Sequence, residues 1–400
     1  MFKPATYHLR PGDWLPALLL LWSVAFAGLV YAEDAARHRD ERTTRLPPND
    51  ISRVVELIAL KHYLAPDEAE VKANTGNITH LNSYLKQLDP YSRYLTREEA
   101  EFFGQRTKKT RFGIGINLLL NHGKVLGIPL VGGPLYRKRG QTTALIQSIN
   151  GHRIMMSNFD SYAFLGDLPH GKPVDVIFAA RKGIPRQIFH IIPENVSNPS
   201  LEIMHHKDAL ILKINRFSNG DNKKVRMALR KLGRKQKLII DLRFSPGGDI
   251  YAMNDLLSLL LPEGKVVATL LDNKGRTVRL RTLSGQVKPG RPVYIAVSEY
   301  TASSAELFAR ALSYYKKRAL IVGEATKGKC LAQRAFKLPS GGLLSLSTHR
   351  ILDASGKFCQ GIPLNPDHNL HDIEFLGLPE LYRNISGIGG KASQAAHPGV

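Results

Sequence analysis

The segment 291–333 constrains the fold of this chain more than any other stretch of the sequence. It contains two short apolar runs, Val293–Val297 and Ala319–Val322, with an Ala- and Leu-rich helical pattern between them. A polar cluster that includes Ser303 and Ser304 separates the first run from the helical pattern. The order strand, helix, strand predicts two neighbouring parallel strands, with a serine hydroxyl at the N-terminus of the helix that connects them.

This arrangement has chemical consequences. A serine at a helix N-terminus lies near backbone N–H donors and the positive end of the helix dipole. The second strand brings Lys329 back to the same neighbourhood. Serine and lysine form one of the nucleophile and base pairs known outside the Ser-His-Asp triad. Taken one at a time, the two residues also fit a helix cap and a solvated loop lysine.

Two motifs in this segment resemble those of a known family. Tyr300-Thr-Ala-Ser-Ser-Ala-Glu306 and Gly323-Glu-Ala-Thr-Lys-Gly-Lys-Cys-Leu-Ala-Gln333 are similar to the motifs of the C-terminal processing (tail-specific) serine peptidases, peptidase family S41. The resemblance implies that Ser303, not Ser304, is the nucleophile. It also implies that Lys329 is the general base and that the amide of Gln333 supports it.

A glycine pair upstream agrees with the resemblance. Asp241-Leu-Arg-Phe-Ser-Pro-Gly-Gly248 follows a predicted strand over 237–242 and leads into a predicted helix over 250–261. Glycines there allow a close approach of bare backbone to a substrate. The resemblance implies that the N–H groups of Gly248 and Ser304 form the oxyanion hole. An ordinary strand-to-helix turn is the alternative for the glycine pair alone.

Lysine acts as a general base only when it is neutral, so its pKa must fall from ~10.4 to ~7–8. Burial or a nearby positive charge lowers the pKa of a lysine. Leu331 and Ala332 offer apolar surroundings, and Lys327 stands two residues before Lys329, where the family usually has Phe. If the segment is a strand, the two lysines share one face and repel each other.

Two alternatives to a peptidase remain open. The first is an inactive adaptor of the same fold, whose catalytic site has been inactivated by Lys327, Tyr300 and Cys330. The second is a phosphate-binding loop, because Gly323-x4-Gly-Lys329 has the spacing of one. That motif places Ser or Thr after the lysine to bind Mg²⁺, whereas this chain has Cys330.

A series of short apolar runs between residues 112 and 179 predicts a small β-rich unit. The runs are Leu118–Leu120, Val125–Val131, Ala144–Ile149 and Val174–Ala179. The unit resembles a PDZ domain, which implies capture of an extended peptide by strand addition with its terminal carboxylate in a backbone nest. The residues that match the carboxylate-binding loop are Phe112, Gly113, Ile114, Gly115 and Ile116.

The N-terminal part of the chain predicts a leader followed by helices. Trp14–Ala32 carries no charge and follows Lys3 and Arg10, which is typical of a cleaved signal peptide or a single membrane anchor. Helical spacing is predicted over 51–63 and 78–88, and Thr96 with Glu99 forms a capping-box signature. Asp89, before a proline, is interpreted as a turn residue.

Composition limits the partners. The net charge of +22 fits either a solubilising basic surface or attraction to an anionic membrane or envelope polymer. Lys and Arg are spread without the aromatic residues that nucleic-acid surfaces use, so no nucleic-acid partner is expected. Cys330 and Cys359 could form a disulfide in an oxidising compartment, with two unpaired thiols as the alternative. The 14 histidines form no ligand-spaced set, so no metal and no cofactor are expected.

Together these features predict an α/β protein with a crotonase-like spiral protease core, an inserted PDZ domain and an N-terminal helical segment. The predicted function is an exported serine endopeptidase of the bacterial periplasm, free or anchored to the inner membrane, that binds protein substrates by their C-termini. An activating adaptor protein is a further expected type of partner; the substrate and the oligomeric state stay open. The predicted divisions are 1–32 leader, 33–107 linker and helical segment, 108–193 PDZ domain, 194–383 protease core and 384–400 disordered tail.

Overall fold

The structure is a computed structural model. It describes residues 45–106, 108–121, 124–140, 142–154, 168–181, 183–233, 236–287, 293–316 and 319–394. The leader Trp14–Ala32 and most of the linker lie outside the described residues. Within these ranges, no helix is both long and apolar enough to cross a membrane.

The segment before residue 107 is helical. It contains α1 Pro48–Lys61, α2 Glu68–Ala73, α3 Ile78–Leu88 and α4 Arg97–Arg106, with strand β1 Arg93–Leu95 between the last two helices. The helices predicted over 51–63 and 78–88 are therefore confirmed. The capping box is also confirmed, because Thr96 N–H donates to Glu99 Oε2 over 2.9 Å and Glu99 N–H donates to Thr96 Oγ1 over 3.3 Å.

A small β unit follows and has its own apolar core. Its elements are β2 Thr110–Gly113, β3 Ile116–Asn121, β4 Lys124–Pro129, α5 Pro134–Arg139, β5 Ala144–Ile149, β6 His152–Arg153, β7 Val174–Phe178, β8 Gln187–Ile191 and β9 Glu194–Ser197. Five antiparallel strands run in the order β3-β4-β5-β7-β8, and β2 pairs with β9. The apolar runs predicted here are thus strands, but the pairing continues past the predicted boundary at 193. Ile114, Leu135, Ile149 and Phe178 lie in the core of this unit.

The central sheet lies beyond this unit. Its strands are β10 Leu201–His206, β11 Ala209–Ile214, β12 Lys237–Asp241, β15 Val293–Val297, β16 Ala319–Gly323 and β19 His368–Asn369, in that spatial order. All neighbours after the β10–β11 hairpin are parallel. Alternate residues of each strand face opposite sides, as the two-residue period requires. Helices α6 Asp221–Lys231, α7 Ile250–Ser258 and α8 Ser304–Tyr315 pack on one side, and α9 Leu378–Gln394 packs on the other.

A second sheet joins the helical segment to the core. It consists of β13 Val266–Asp272, β14 Thr277–Arg281, β17 Leu331–Lys337, β18 Leu343–Leu352 and the N-terminal strand β1. The ten-residue strand β18 pairs with β1, β13 and β17. Because β17 begins two residues after Lys329, this sheet brings the N-terminal segment next to the predicted base.

The prediction of a disordered tail from residue 384 is wrong as far as Gln394, because α9 continues to that residue. Leu381, Ile385 and Ile388 recur at helical spacing and pack against the central sheet. The Gly, Ala and Ser residues that follow Asn384 conceal this stripe in the composition. Residues 395–400 lie outside the described part of the chain.

Candidate active site

Ser303 lies in the loop between β15 and α8, at the carboxyl edge of the central parallel sheet. Thr301 Oγ1 donates to Leu242 O over 2.9 Å, which ties this loop to the end of neighbouring strand β12. Ser303 has φ 58° and ψ −126°, a backbone conformation that glycine favours. Non-glycine residues in such conformations cost about 1–3 kcal/mol and cluster at functional sites. The side chain is nearly buried, with 4% of its residue surface exposed.

The glycine pair packs directly against this serine. Ala302 N–H donates to Ser245 O over 3.0 Å, so the two strand-to-helix loops are joined. A Cβ atom on Gly247 would lie 2.9 Å from Ser303 Cβ, and one on Gly248 would lie 2.3 Å from Phe217 O. Neither position has room for a side chain. Ser304 Oγ donates to Gly248 O over 2.9 Å, so the two residues predicted as oxyanion donors are neighbours.

Glu306, in the first turn of α8, connects the serine loop to the lysine loop. Its Oε2 accepts hydrogen bonds from Ser303 N–H over 3.0 Å and from Lys329 N–H over 2.8 Å. Its Oε1 accepts from Gly328 N–H over 2.7 Å and from Thr326 Oγ1 over 2.5 Å. Glu306 is completely buried, and burial raises the pKa of its carboxyl while these hydrogen bonds act in the opposite direction. One carboxylate therefore fixes the backbone at both Ser303 and Lys329.

Lys329 is buried as the predicted chemistry requires, with 3% of its surface exposed. Burial is the main reason that its pKa falls to about 8, and the nearby charge of Lys327 contributes in the same direction. Asp89 and Glu306 oppose this fall. Its Nζ lies 4.6 Å from the centroid of the Tyr91 ring.

The premise that residues 327–329 form a strand is wrong, because they lie in an irregular loop before β17. Lys327 N–H donates to Thr301 O over 3.0 Å, and Gly328 has φ 78°, which a regular strand does not allow. The predicted effect of Lys327 on the pKa of Lys329 nevertheless has the predicted direction. It comes from proximity within the loop rather than from a shared strand face.

Gln333 lies on β17, and the NH₂ group of its side-chain amide makes the hydrogen bonds that hold it. Nε2 donates to Leu331 O over 2.9 Å and to Ser347 Oγ over 3.1 Å. Oε1 is buried and has no hydrogen-bond partner in the part of the chain that the structure describes. The support of Lys329 by Gln333 remains a prediction, and Oε1 is the atom that could provide it.

Sequence reasoning missed a group of polar residues from the N-terminal segment. Asp89 behaves as the predicted turn residue, because its Oδ1 accepts from Tyr91 N–H over 2.7 Å and from Ser92 N–H over 2.9 Å. It is also buried and accepts from the side chains of His62, Ser92 and Ser347. The sequence offered no signal for this second role of Asp89, because its partner Ser347 on β18 is 258 residues away.

Cys330 and Cys359 are joined by a disulfide, as the sequence allowed. Next to it, Cys330 N–H donates to Gln360 Oε1 over 2.8 Å, and Gln360 Nε2 donates to Tyr91 Oη over 3.2 Å. Gln360 therefore contacts both Cys330, the residue after Lys329, and Tyr91, whose ring lies beside Lys329.

The predicted peptide-binding loop lies in the small β unit. Phe112 and Gly113 end β2, Ile116 begins β3, and β3 lies at an edge of the unit's six-stranded sheet, in which β6 pairs only with β5. Gly115 has φ 75°, and a Cβ there would lie 2.9 Å from Pro134 Cδ. Phe112 stacks on His170 with 4.0 Å between ring centroids.

The described residues contain no group of three His, Cys, Asp or Glu side chains that could hold a metal ion. What the site does contain is a strained serine, a buried lysine with a lowered pKa, and two closely packed glycines with no room for side chains. These are the parts of a nucleophile activated by a neighbouring base.

Comparison with known proteins identifies serine peptidases as relatives of this chain. Residues 208–370 match the model of peptidase family S41. A probable CtpA-like serine protease of Staphylococcus aureus (strain MSSA476) is 25% identical over 343 residues, which cover 84% of this chain and 67% of that protein. The carboxy-terminal-processing protease of Bartonella bacilliformis is 22% identical over 379 residues, covering 93% of this chain and 85% of that protein.

Among solved structures, the photosystem II D1 C-terminal processing protease aligns with a TM-score of 0.62 at 19% identity. The alignment covers 83% of this chain and 95% of that chain. At this identity the likeness shows the fold alone, which is mixed α/β.

Proposed function

The chain is a serine peptidase of peptidase family S41, and from this premise we propose that it is an exported endopeptidase that cleaves proteins near their C-termini with Ser303 and Lys329. The observation that carries the proposal is the binding of both backbone N–H groups, of Ser303 and of Lys329, by the single carboxylate of Glu306. This contact fixes the spacing of the nucleophile and the base. The lowered pKa of Lys329, about 8, makes its neutral form accessible near neutral pH.

The proposed reaction has two steps. Ser303 Oγ attacks the scissile carbonyl carbon while Lys329 Nζ takes the hydroxyl proton, and the negative charge on the carbonyl oxygen is stabilised by the N–H groups of Gly248 and Ser304. The tetrahedral intermediate collapses, and Lys329 returns the proton to the leaving amine. Water, deprotonated by Lys329, then attacks the acyl carbon, and Lys329 returns this proton to Ser303 Oγ as the ester bond breaks. An oxyanion donor of this kind contributes about 3–4 kcal/mol in the transition state.

We further propose that the small β unit is a PDZ domain that captures the substrate C-terminus. The edge position of β3 fits strand addition, and the positive φ of Gly115 fits a tight backbone loop directly before that strand. Replacing Gly115 with Val should raise the KM for a long unfolded substrate and leave the KM for a short chromogenic peptide unchanged. Equal changes for both substrates would contradict capture by this unit.

Export is proposed from the charge-free segment Trp14–Ala32 after Lys3 and Arg10. The disulfide between Cys330 and Cys359 agrees with an oxidising compartment such as a periplasm. An activating adaptor protein, and attraction of the basic surface to an anionic envelope, belong to the same proposal.

The test compares the wild type with Ser303→Ala and Lys329→Ala on an unfolded protein with an apolar C-terminus, from pH 6 to 10, with and without reductant. The proposal expects cleavage by the wild type and a loss of at least about 10³-fold in each variant. Lys316→Ala is the control, because burial also lowers the pKa of Lys316, yet no role in the reaction is proposed for it. It should keep wild-type activity.

A serine-reactive fluorophosphonate separates the enzyme from an inactive adaptor. The proposal expects labelling at Ser303 in the wild type and none in Ser303→Ala. Cleavage by all three proteins would contradict the assignment of Ser303 and Lys329. An unlabelled wild type that binds C-terminal peptides would favour the adaptor.

A further inference from the structure

Four buried polar side chains connect the N-terminal helical segment to the proposed catalytic site. His62, Asp89 and Ser92 precede the part of the chain that matches the peptidase family, and Ser347 lies on β18. They meet because β1 pairs with β18, with Arg93 opposite Ser345. All four side chains are buried.

The hydrogen bonds of this group have only one consistent direction. Leu331 O can only accept, so the end of the Gln333 amide that contacts it must be the NH₂ group. The same Nε2 donates to Ser347 Oγ over 3.1 Å. Ser347 Oγ–H in turn donates to Asp89 Oδ1 over 2.9 Å, since a carboxylate only accepts.

His62 holds the carboxylate of Asp89, which is the last group in this series of hydrogen bonds. Leu64 N–H donates to His62 Nδ1 over 3.3 Å, so Nε2 carries the ring proton and donates it to Asp89 Oδ2 over 2.8 Å. Ser92 Oγ donates to the same oxygen over 2.5 Å. Burial alone would raise the pKa of Asp89, but the hydrogen bonds from His62 and Ser92 outweigh it and lower that pKa.

This series of hydrogen bonds therefore determines which end of the Gln333 amide keeps hydrogen-bonding capacity. Its NH₂ group is occupied by Leu331 and Ser347, and its buried Oε1 has no partner within the described residues. A neutral lysine amine has two N–H donors and one lone pair. If Oε1 accepts one N–H, the lone pair acquires a defined direction.

We propose that Asp89 and His62 are positioning residues of the catalytic site: through Ser347 they hold the Gln333 amide so that its Oε1 orients the amine of Lys329. This inference rests on the proposed function of Ser303 and Lys329. It makes the N-terminal helical segment part of the catalytic apparatus and not only a support for β18.

The charge of Asp89 adds a second, measurable effect. The charged and titratable groups around Lys329 are Asp89 from the loop after α3, Glu306 from α8, Lys327 from its own loop, and Tyr91 with its ring against Nζ. Asp89 is negative and favours the protonated lysine. Removing that charge should make Lys329 easier to deprotonate, so the acid limb of the activity profile should move to lower pH.

The experiment measures fluorophosphonate labelling and peptide hydrolysis from pH 5 to 10 in full-length wild type, Ser347→Ala and Asp89→Asn. Ser347→Ala removes the link but keeps the carboxylate. It should lower the high-pH plateau of the rate about ten- to a hundredfold and leave the midpoint of the acid limb unchanged. Asp89→Asn should lower the plateau and also move the midpoint down by about one pH unit.

Asp50→Asn is the matched control. Asp50 is a buried carboxylate of the same segment that accepts from Tyr94 Oη and from Ser340, away from the link to Gln333. Its replacement should lower stability and leave the plateau and the midpoint of the folded enzyme at wild-type values. An equal fall of the plateau in Asp50→Asn and Ser347→Ala would overturn the proposal, because general loosening would then explain both.

A wild-type plateau in Ser347→Ala also overturns it, even if Asp89→Asn fails to fold. Failure of the proposed function would give a different result: the wild type itself would be unlabelled, or Ser303→Ala would be labelled equally. If the wild type is active and Ser303→Ala is not, only the positioning role is at stake.

Discussion

Two regions of the molecule each place one buried carboxylate near Lys329, and the two carboxylates differ in what they bind. Glu306, from the segment 293–333 of the core, accepts from three backbone N–H groups and one hydroxyl. Asp89, from the segment 45–106, accepts from the side chains of His62, Ser92 and Ser347 and from two backbone N–H groups. Glu306 therefore holds mainly backbone groups in place, whereas Asp89 also orients three side chains.

The same difference appears in their ionisation. Burial is the largest influence on both carboxyls, and it raises the pKa of Glu306; at Asp89 the hydrogen bonds and the nearby charge of His62 together outweigh burial and lower the pKa. Loss of Glu306 should therefore lower both stability and activity strongly. Loss of Asp89 should lower the rate less and shift its pH dependence. The predictions below test this division, beginning with the largest effect.

Glu306→Gln is expected to cause the largest loss. Each oxygen of Glu306 accepts at least one backbone N–H, so a glutamine NH₂ group would face a donor in either orientation. We expect the free energy of unfolding to fall by about 2–4 kcal/mol, and urea denaturation would measure it. Labelling of Ser303 should fall by at least about 100-fold.

Glu202→Gln is the control for that variant, because Glu202 is a buried carboxylate paired with Lys213 over 2.9 Å at the far edge of the central sheet. It should lose stability without a loss of labelling rate in the folded protein. Equal labelling rates in Glu306→Gln and wild type would show that the carboxylate does not hold the site.

Gly248→Ala is expected to reduce kcat by about 10²- to 10³-fold, because the new Cβ would lie 2.3 Å from Phe217 O and must displace the proposed oxyanion donor. Steady-state kinetics on a short peptide would measure the change. A wild-type kcat, or a change confined to KM, would exclude Gly248 from the oxyanion hole.

Removing the disulfide should have an intermediate effect. Cys330 and Cys359 are 29 residues apart, and closing a loop of that length contributes about 3–4 kcal/mol to stability. We expect the double variant Cys330→Ser/Cys359→Ser to unfold at a lower denaturant concentration and to lose activity about tenfold or less. Reductant should have the same effect on the wild type and none on the double variant.

Tyr94→Phe should have the smallest effect. Tyr94 Oη donates to Asp50 Oδ2 over 2.9 Å, and Asp50 keeps its hydrogen bonds from Ser340 in the variant. Stability should fall by about 1 kcal/mol, with kcat unchanged. A large loss of kcat would mean that the N-terminal segment acts on the site through its packing as a whole and not through Asp89.

The parts of the fold that sequence could predict depend on local order. The runs that became β15 and β16 enclose a helical pattern, so the place of Ser303 at the edge of a parallel sheet followed from spacing alone. The part of helix α9 after Asn384 was missed because Gly, Ala and Ser make up most of its composition. Residues 327–329, which would place both lysines on one face only if they formed a strand, are held as a loop by hydrogen bonds to Glu306.

The polar chain could not be predicted, because its parts are far apart in sequence. Ser347 and Asp89 are separated by 258 residues and meet only through the pairing of β1 with β18. Asp89 is the turn residue that the sequence predicted, and it is also a buried hydrogen-bond partner of Ser347. No periodicity or motif spacing carries that information.

The most direct test of the roles of Ser303 and Lys329 is the rate at which a fluorophosphonate phosphonylates Ser303 with release of fluoride, measured as a function of pH in the wild type and in Lys329→Ala. We predict that the wild-type rate rises with pH through a midpoint near 8, because Lys329 must lose its proton to accept one from Ser303. Lys329→Ala should be phosphonylated at least about 10³-fold more slowly at the plateau. Phosphonylation of Lys329→Ala at the wild-type rate, with the same midpoint, would contradict these roles.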